Sequence, residues 1–281
     1  MSKKRLVLFC LTVFLFLGCK TVGEVYVGSS GSRINLDFFP SSDRWIDTID
    51  IFSSTVDSGE AAVLWSIGEY SSRGIILGFP GDDKSNKNIY YSDINIDEEY
   101  ISKFDKNDIS IFLLIEPGIS NIPETIKSVL DYYSNHKSVV GICIDLEWLS
   151  TDGIDPGQVS VPVESILRWL DILEDYDNKY QLILKHWDIS LIDRLDDDRV
   201  IYLESMEGIT TEREFEDRFS LWVRKFYPNK VGFEMGFKDD VLPWITNLNS
   251  IYSFHRSIDS FTSYPSSLFW SSTTLFDIVE K

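Results

Sequence analysis

The stretch Val139-Val-Gly-Ile-Cys-Ile-Asp-Leu-Glu-Trp148 is the most informative part of this chain for its fold. Its first half is an apolar, β-branched run, which is typical of a strand that is covered on both faces. Because side chains alternate along a strand, Asp145 and Glu147 point to the same face. Unpaired buried carboxylates are costly, so this pair indicates either a functional site or a solvated strand end with two ordinary surface acids.

Similar short apolar runs recur along the chain and alternate with helical patterns. Alternation of this kind predicts an α/β fold with a parallel sheet and right-handed crossovers. Eight strands in a chain of 281 residues favour a single (β/α)8 TIM barrel, whose usual size is about 250 residues. A doubly wound open sheet is the alternative, but the chain has no glycine-rich dinucleotide fingerprint. The predicted strands are 62–66, 74–79, 110–115, 139–145, 181–185, 200–204, 231–235 and 268–271.

Helix starts between these strands carry capping signals. Asn121 is followed three residues later by Glu124, and Thr211 is followed by Glu214, which are the spacings of an N-cap and its capping-box acid. A further run from Val163 keeps apolar residues at helical spacing.

Active sites of such barrels lie at the carboxyl ends of the strands. Six consecutive predicted strands end in titratable or aromatic residues, and this concentration predicts a site there. On β-strand alternation, Cys143, Asp145 and Glu147 are expected to face the barrel interior, with Ile142, Ile144 and Leu146 facing the helices. The candidate site residues at the strand ends are Glu116, Asp145, Glu147, Trp148, His186, Trp187, Glu204, Glu234 and Trp270.

The N-terminus has the features of a bacterial lipoprotein signal. Basic residues at positions 3–5 precede an apolar stretch that is too short to span a bilayer, and Phe16-Leu-Gly-Cys19 resembles a lipobox. We therefore expect residues 1–18 to be a signal peptide, acylated Cys19 to begin a flexible tether over residues 19–43, and residues 44–281 to form the barrel. The lipid would place the protein in the bacterial cell envelope as a membrane-anchored lipoprotein.

Charge and cysteine content limit the partners. The formal net charge is −19, and loss of the three basic signal residues would make the chain three units more negative. Such an acidic protein should repel nucleic acid. The three histidines have no zinc-ligand spacing, so neither a metal nor another cofactor is expected. Cys143 would be the one cysteine left without a signal or lipid role, and we interpret it as a buried hydrophobe in a monomeric protein.

Gly141-Ile-Cys-Ile-Asp145-Leu-Glu147 resembles the strand-4 signature of glycoside hydrolase family 18, the chitinase-like barrels, written D-G-x-D-x-D-x-E. Gly141, Asp145 and Glu147 match it, whereas Val140 and Cys143 replace the other two aspartates. The resemblance implies that Glu147 is the general acid and that Asp145 positions the 2-acetamido group of an amino-sugar glycan, which attacks in place of an enzyme nucleophile. It also implies sugar contacts for Trp270 on strand 8 and Tyr202 on strand 6.

Two other functions compete with this one. Retaining glycosidases place an acid/base glutamate on strand 4 and a nucleophilic glutamate on strand 7, where Glu147 and Glu234 are found. A non-catalytic barrel that binds glycan or acts as a scaffold is the second alternative, because folds outlast their chemistry. For any carbohydrate function, Trp148, Trp187 and Trp270 are the tryptophans expected to contact ligand.

Overall fold

The structure is a computed structural model that describes residues 25–31, 39–56, 59–81, 88–238, 245–262 and 266–280. Within these ranges the chain forms ten strands and seven helices. The strands are β1 (Tyr26–Gly31), β2 (Glu60–Ser71), β3 (Gly74–Leu77), β4 (Ile89–Tyr91), β5 (Ser110–Ile115), β6 (Val139–Asp145), β7 (Gln181–His186), β8 (Val200–Ser205), β9 (Lys230–Met235) and β10 (Ser267–Ser271). The helices are α1 (Ser42–Ser53), α2 (Glu98–Lys106), α3 (Ile122–Tyr133), α4 (Val163–Tyr176), α5 (Glu212–Phe226), α6 (Leu248–Thr262) and α7 (Ser272–Val279).

Eight of the described strands form a closed parallel barrel. Their order is β1-β2-β5-β6-β7-β8-β9-β10, and pairing of β10 with β1 closes the ring. Helices follow most barrel strands and cover the outside, so the fold is the predicted single (β/α)8 barrel.

Alternation along the strands separates two apolar layers. One cluster of buried side chains fills the barrel interior, and a larger one lies between the strands and the helices. Ile142, Ile144 and Leu146 belong to the outer layer, whereas Cys143 belongs to the interior. The interior cluster consists of Tyr26, Ala62, Leu64, Phe112, Leu114, Cys143, Ile183, Ile201, Leu203 and Phe269.

The first barrel strand corrects the predicted domain boundary. β1 lies inside residues 19–43, the expected tether, so the barrel includes Tyr26–Gly31 and does not begin at residue 44. The glycines and serines of this stretch resemble a linker, but Gly28 is needed because β1 approaches β2 too closely at that position to admit a side chain. A Cβ on Gly28 would lie 1.6 Å from the backbone oxygen of Ala62 on β2. The predicted signal peptide and Cys19 lie outside the described residues.

The second predicted strand is also corrected. Residues 74–77 form β3, which pairs antiparallel with the distal half of β2 and lies outside the barrel. The turn between β2 and β3 spans only Ser72 and Arg73. A parallel crossover needs a dozen or more residues, so this short connection permits only a hairpin. The barrel still has eight strands because β1 replaces the predicted strand 74–79.

The predicted helix starts are confirmed by the caps. The Asn121 side chain accepts a hydrogen bond from the Glu124 amide at 3.2 Å, and the Thr211 hydroxyl accepts one from the Glu214 amide at 3.2 Å. Both satisfy amides that the first helical turn leaves unpaired. None of the helices in the described ranges has the length and apolar character needed to cross a membrane.

Candidate active site at the carboxyl ends of the barrel strands

The end of β6 positions two carboxyl groups at the barrel mouth. The strand stops at Asp145, and Leu146–Trp148 form a short 3-10 helix. Asp145 Oδ1 accepts a hydrogen bond from the Glu147 amide at 3.2 Å, which fixes the turn from strand to loop. This cap brings Glu147 back beside Asp145 although it lies beyond the strand.

Lys185 on β7 joins carboxylates from two other strands. Its Nζ lies 2.8 Å from Asp145 Oδ2 and 2.8 Å from Glu234 Oε2 on β9. Burial alone would lower the pKa of Lys185, but the negative charges of Asp145 and Glu234 outweigh it and hold the pKa well above its ordinary value. Lys185 is therefore an ammonium ion at neutral pH, which excludes it as an amine nucleophile.

Glu147 is the group best suited to donate a proton. Although the residue is partly exposed, its Oε1 is shielded from solvent and has no hydrogen-bond partner among the described residues. Burial and the charge of Asp145 raise the pKa of Glu147 to about 8, against the opposing effects of Lys185 and Ser205. The carboxyl is consequently protonated at neutral pH, as a general acid must be.

Glu116 brings a second carboxyl with a raised pKa to the mouth. Burial and the charge of Asp145 raise its pKa to about 7, while the backbone amide of Tyr70 donates to its Oε2 at 2.9 Å and lowers the pKa. The Tyr70 ring lies 5.0 Å from the Trp148 ring, with 33° between the planes. The extension of β2 thus forms an aromatic wall with the exposed Trp148.

Other predicted site residues lie on the outward face. Tyr202 stacks on Phe226 with ring centroids 3.8 Å apart, and the Trp270 indole donates to Thr274 at 2.9 Å. Both rings belong to the layer between strands and helices, because they alternate with the interior residues of β8 and β10. We therefore correct their assignment as sugar-contact residues and place them in the packing of the helices.

His186 and Glu204 also point away from the barrel axis. They are register partners on β7 and β8, two residues beyond the outward-facing pair Leu184 and Tyr202, and so they lie on the same face. Glu204 accepts a hydrogen bond from Arg218 on α5 at 3.0 Å, and burial raises its pKa to about 7. Burial lowers the pKa of His186 to about 4, so its ring is neutral. Neither residue belongs to the cluster around Lys185.

The structure adds Lys185 and Ser30 to the predicted site residues. Lys185 is central, and Ser30 on β1 donates a hydrogen bond to Glu234 Oε1. A signal for Lys185 was present, because lysine is seldom found at an inward position of a buried strand. Ser30 lies in the segment whose sequence predicts a tether, and Tyr70 lies on an extension of β2 that the apolar pattern does not predict.

Two further observations limit the chemistry. Among the described residues, no group of three or more histidines, cysteines or acids has the arrangement of a metal site. Burial and the charge of Asp145 raise the pKa of the Cys143 thiol well above its ordinary value. The thiol is therefore neutral, and a neutral thiol is a poor nucleophile.

The barrel is similar to a protein of known structure. It resembles the crystal structure of a "putative alpha-L-fucosidase" from Bacteroides thetaiotaomicron VPI-5482, with a TM-score of 0.54 over 95% of this chain and 91% of that chain. The shared feature is the barrel. At 10% identity the likeness establishes the fold and leaves the chemistry to the site itself. No protein-family model and no curated protein sequence matches the chain.

Proposed function

We propose that this protein is a glycoside hydrolase-like barrel that binds and cleaves an amino-sugar-containing glycan, with Glu147 as general acid. One observation carries the proposal: Glu147 combines a buried, unpartnered carboxyl oxygen with a pKa raised to about 8, beside the ion pair of Asp145 and Lys185. Two neighbouring carboxyl groups with different protonation are the arrangement used for glycoside hydrolysis.

In the proposed reaction, Glu147 gives its proton to the glycosidic oxygen as the bond to the anomeric carbon breaks. The carbonyl oxygen of the substrate's own 2-acetamido group attacks that carbon, and Asp145 orients the amide. A water molecule then attacks the anomeric carbon and opens the cyclic intermediate, while the Glu147 carboxylate takes a proton from that water. Lys185 and the Glu147 amide engage the two Asp145 oxygens, which would hold this side chain in one orientation.

The retaining scheme with Glu234 as nucleophile ranks second. Glu234 stands at the end of β9, the seventh barrel strand, and approaches the same lysine as Asp145. However, Ser30 and Lys185 contact its two oxygens. The hydrogen bond and the lysine ammonium stabilise the carboxylate anion and so reduce its nucleophilicity, which would slow the displacement.

The sequence at the N-terminus supports a lipid anchor at Cys19 and a place in the bacterial cell envelope, so both belong to the proposal. The anchored protein would meet glycan outside the cytoplasm as a monomer.

The test is hydrolysis of a panel of glycans by the full-length chain and by Glu147→Gln. Glutamine keeps the size and removes the proton donor, so the rate should fall by roughly 10²–10⁴-fold with folding intact. The rate of the native protein should also fall as the pH rises through about 8, because Glu147 loses its proton there. Exposed Glu212→Gln is the matched control.

Three variants separate the schemes. Asp145→Asn should impair the substrate-assisted reaction, whereas Glu234→Gln should abolish a covalent intermediate only in the retaining scheme. Full activity of Glu147→Gln on a cleaved glycan would refute both. Binding of a glycan with no cleavage by the native chain would establish the non-catalytic alternative, which Val140 and Cys143 favour by replacing two aspartates of the family motif.

A further inference from the structure

The chain enters the barrel at the end opposite the candidate site. β1 is parallel to β2 and β10, and its first residue, Tyr26, is the register partner of Glu60 at the start of β2. Four residues later, Ser30 contacts Glu234 at the mouth. Val25 is already part of the body, because it is only 9% exposed and its carbonyl accepts a hydrogen bond from the Glu60 amide at 2.7 Å. The globular body therefore begins at Val25, at the amino end of the barrel.

The link between the predicted lipid and this point is short. Residues 20–24 are the five residues that separate Cys19 from Val25. Fully extended, the six residue steps from Cys19 to Val25 span at most about 20–22 Å. The position of β1 sets this limit, since a tether that ran to residue 43 would reach about four times as far.

The mouth of the barrel lies beyond the reach of that link. Barrel strands rise about 3.3 Å per residue and tilt by about 36°, so β6, with seven residues, raises the mouth by about 16 Å. Helices α1 and α7 pack on the outside of β1, and a helix with its side chains is about 10–12 Å across. A link that passed around this layer to the mouth would need at least about 26 Å. Residues 20–24 are too few to cover that path.

The charge of the body acts in the same direction. The formal net charge of the chain is −19, so anionic lipid headgroups repel it. Its net charge therefore gives the body no attraction to such headgroups that would compete with the acyl attachment in setting its orientation.

We propose that the acyl anchor holds the amino end of the barrel toward the bilayer and turns the Glu147 site away from it. The substrate class follows from this orientation: a glycan that approaches from the side away from the bilayer, as a soluble or polymeric chain does. The head group of a glycolipid in the same leaflet would not reach the site. The inference rests on the proposed lipid anchor and the proposed glycan function, and it extends them by stating where the substrate lies.

The test measures the distance of each end of the barrel from a membrane. The lipidated full chain is inserted into the outer leaflet of phosphatidylcholine vesicles that contain a rhodamine-labelled lipid as energy acceptor. Lys137→Cys, just before β6, and Asp152→Cys, beyond its mouth end, are exposed positions for a fluorescein donor. Cys143 is buried and stays unlabelled. The donor at position 152 should lie about 16 Å farther from the acceptor plane than the donor at position 137.

A longer link is the matched variant. Thirty glycine and serine residues inserted after Val22 have a root-mean-square span of about 30 Å, so the two donors should then transfer energy equally. Cys19→Ser combined with Lys137→Cys is the control for the anchor and should show no transfer. A second measurement compares hydrolysis of a soluble N-acetylglucosamine oligomer with that of the same sugar on a lipid in the same vesicle. The native chain should cleave the soluble sugar alone, and the variant with the longer link should cleave both.

The outcomes separate the proposals. Equal transfer from the two donors on the native link, or more from position 152, overturns the orientation and leaves the Glu147 proposal standing. A difference between the donors that persists with the longer link overturns the argument from reach. Transfer that is absent in the native chain, or unchanged by Cys19→Ser, overturns the anchor and the orientation together. Cleavage of the lipid-borne sugar on the native link overturns the substrate class. If neither sugar is cleaved or bound, the glycan function fails, and the energy transfer still decides the orientation.

Discussion

Lys185 is the residue on which the charge balance of the site depends. Its ammonium group stands between Asp145 and Glu234, with Nζ 2.8 Å from an oxygen of each. The Asp145 and Glu234 oxygens therefore lie within twice that distance of each other. Without the cation the two carboxylates would repel each other strongly, because the buried site screens charge less than water does. One buried lysine thus permits two carboxylates to remain close while the nearby Glu147 keeps its proton.

Replacement of Lys185 by methionine should destabilise the protein by about 3–5 kcal/mol, because it leaves buried carboxylates without their cation. Chemical denaturation at neutral pH measures the loss. Lys137→Met is the control, since Lys137 pairs with Asp108 in an exposed position and should have little effect. Equal stability of the two variants would show that the buried ion pairs do not hold the site together.

The element that closes the barrel is β1. It pairs with β2 on one side and β10 on the other, and its backbone approaches β2 closely at Gly28. The adjacent element, the β2–β3 hairpin, leaves the barrel after an irregularity at Ser66–Gly68. Bulges are common at barrel rims, and this one carries the Tyr70 amide to Glu116.

Gly28→Ala should destabilise the barrel by more than about 3 kcal/mol, because the added methyl meets backbone that has no room to move. Gly153→Ala is the comparison, since a Cβ there meets nothing within 4 Å and the cost is limited to its positive φ of 84°. Denaturant unfolding ranks the two. If Gly28→Ala is no worse than Gly153→Ala, β1 does not close the barrel as tightly as the structure indicates.

For the whole molecule, buried carboxyls make stability depend on pH. Burial raises the pKa of Glu116 and Glu204 to about 7 and that of Glu147 to about 8, so the folded state binds protons that the unfolded state releases. Stability should be greatest near pH 4.5 and should fall as the pH rises to about 8. His186, whose pKa is lowered to about 4, offsets part of the fall below about pH 6.5.

Glu116→Gln tests this dependence directly. In the native protein, the free energy of unfolding should fall between about pH 4.5 and 7, in part because Glu116 loses its proton. In the variant this fall should be shallower by up to about 1.4 kcal/mol per pH unit. Urea unfolding in high salt measures the slope with surface charge repulsion screened. Glu212→Gln, at an exposed position, is the control. An unchanged slope in Glu116→Gln would mean that this carboxyl is ionised in the folded protein.

The membrane anchor is a property of the whole protein that the N-terminal sequence predicts. Cys19→Ser should move the protein from membrane to soluble fractions, because acyl chains would supply its membrane affinity. Fractionation of cells that produce the two forms measures the change, with Cys143→Ser as a cysteine control that leaves the lipobox intact. Continued membrane partition of Cys19→Ser would refute the lipoprotein assignment.

The sequence by itself determined the barrel class, seven of its eight strands, the helix starts and the pair Asp145 and Glu147. These features depend on patterns within short stretches of the chain, such as alternation, capping residues and apolar runs, so the sequence alone predicts them. Tertiary structure decided the rest. β1 is a strand because it pairs with both β2 and β10 to close the ring, and residues 74–77 leave the barrel because the preceding turn is short. Lys185, Ser30 and Glu234 meet because strands far apart in the chain converge at one mouth, and no local pattern encodes that distance.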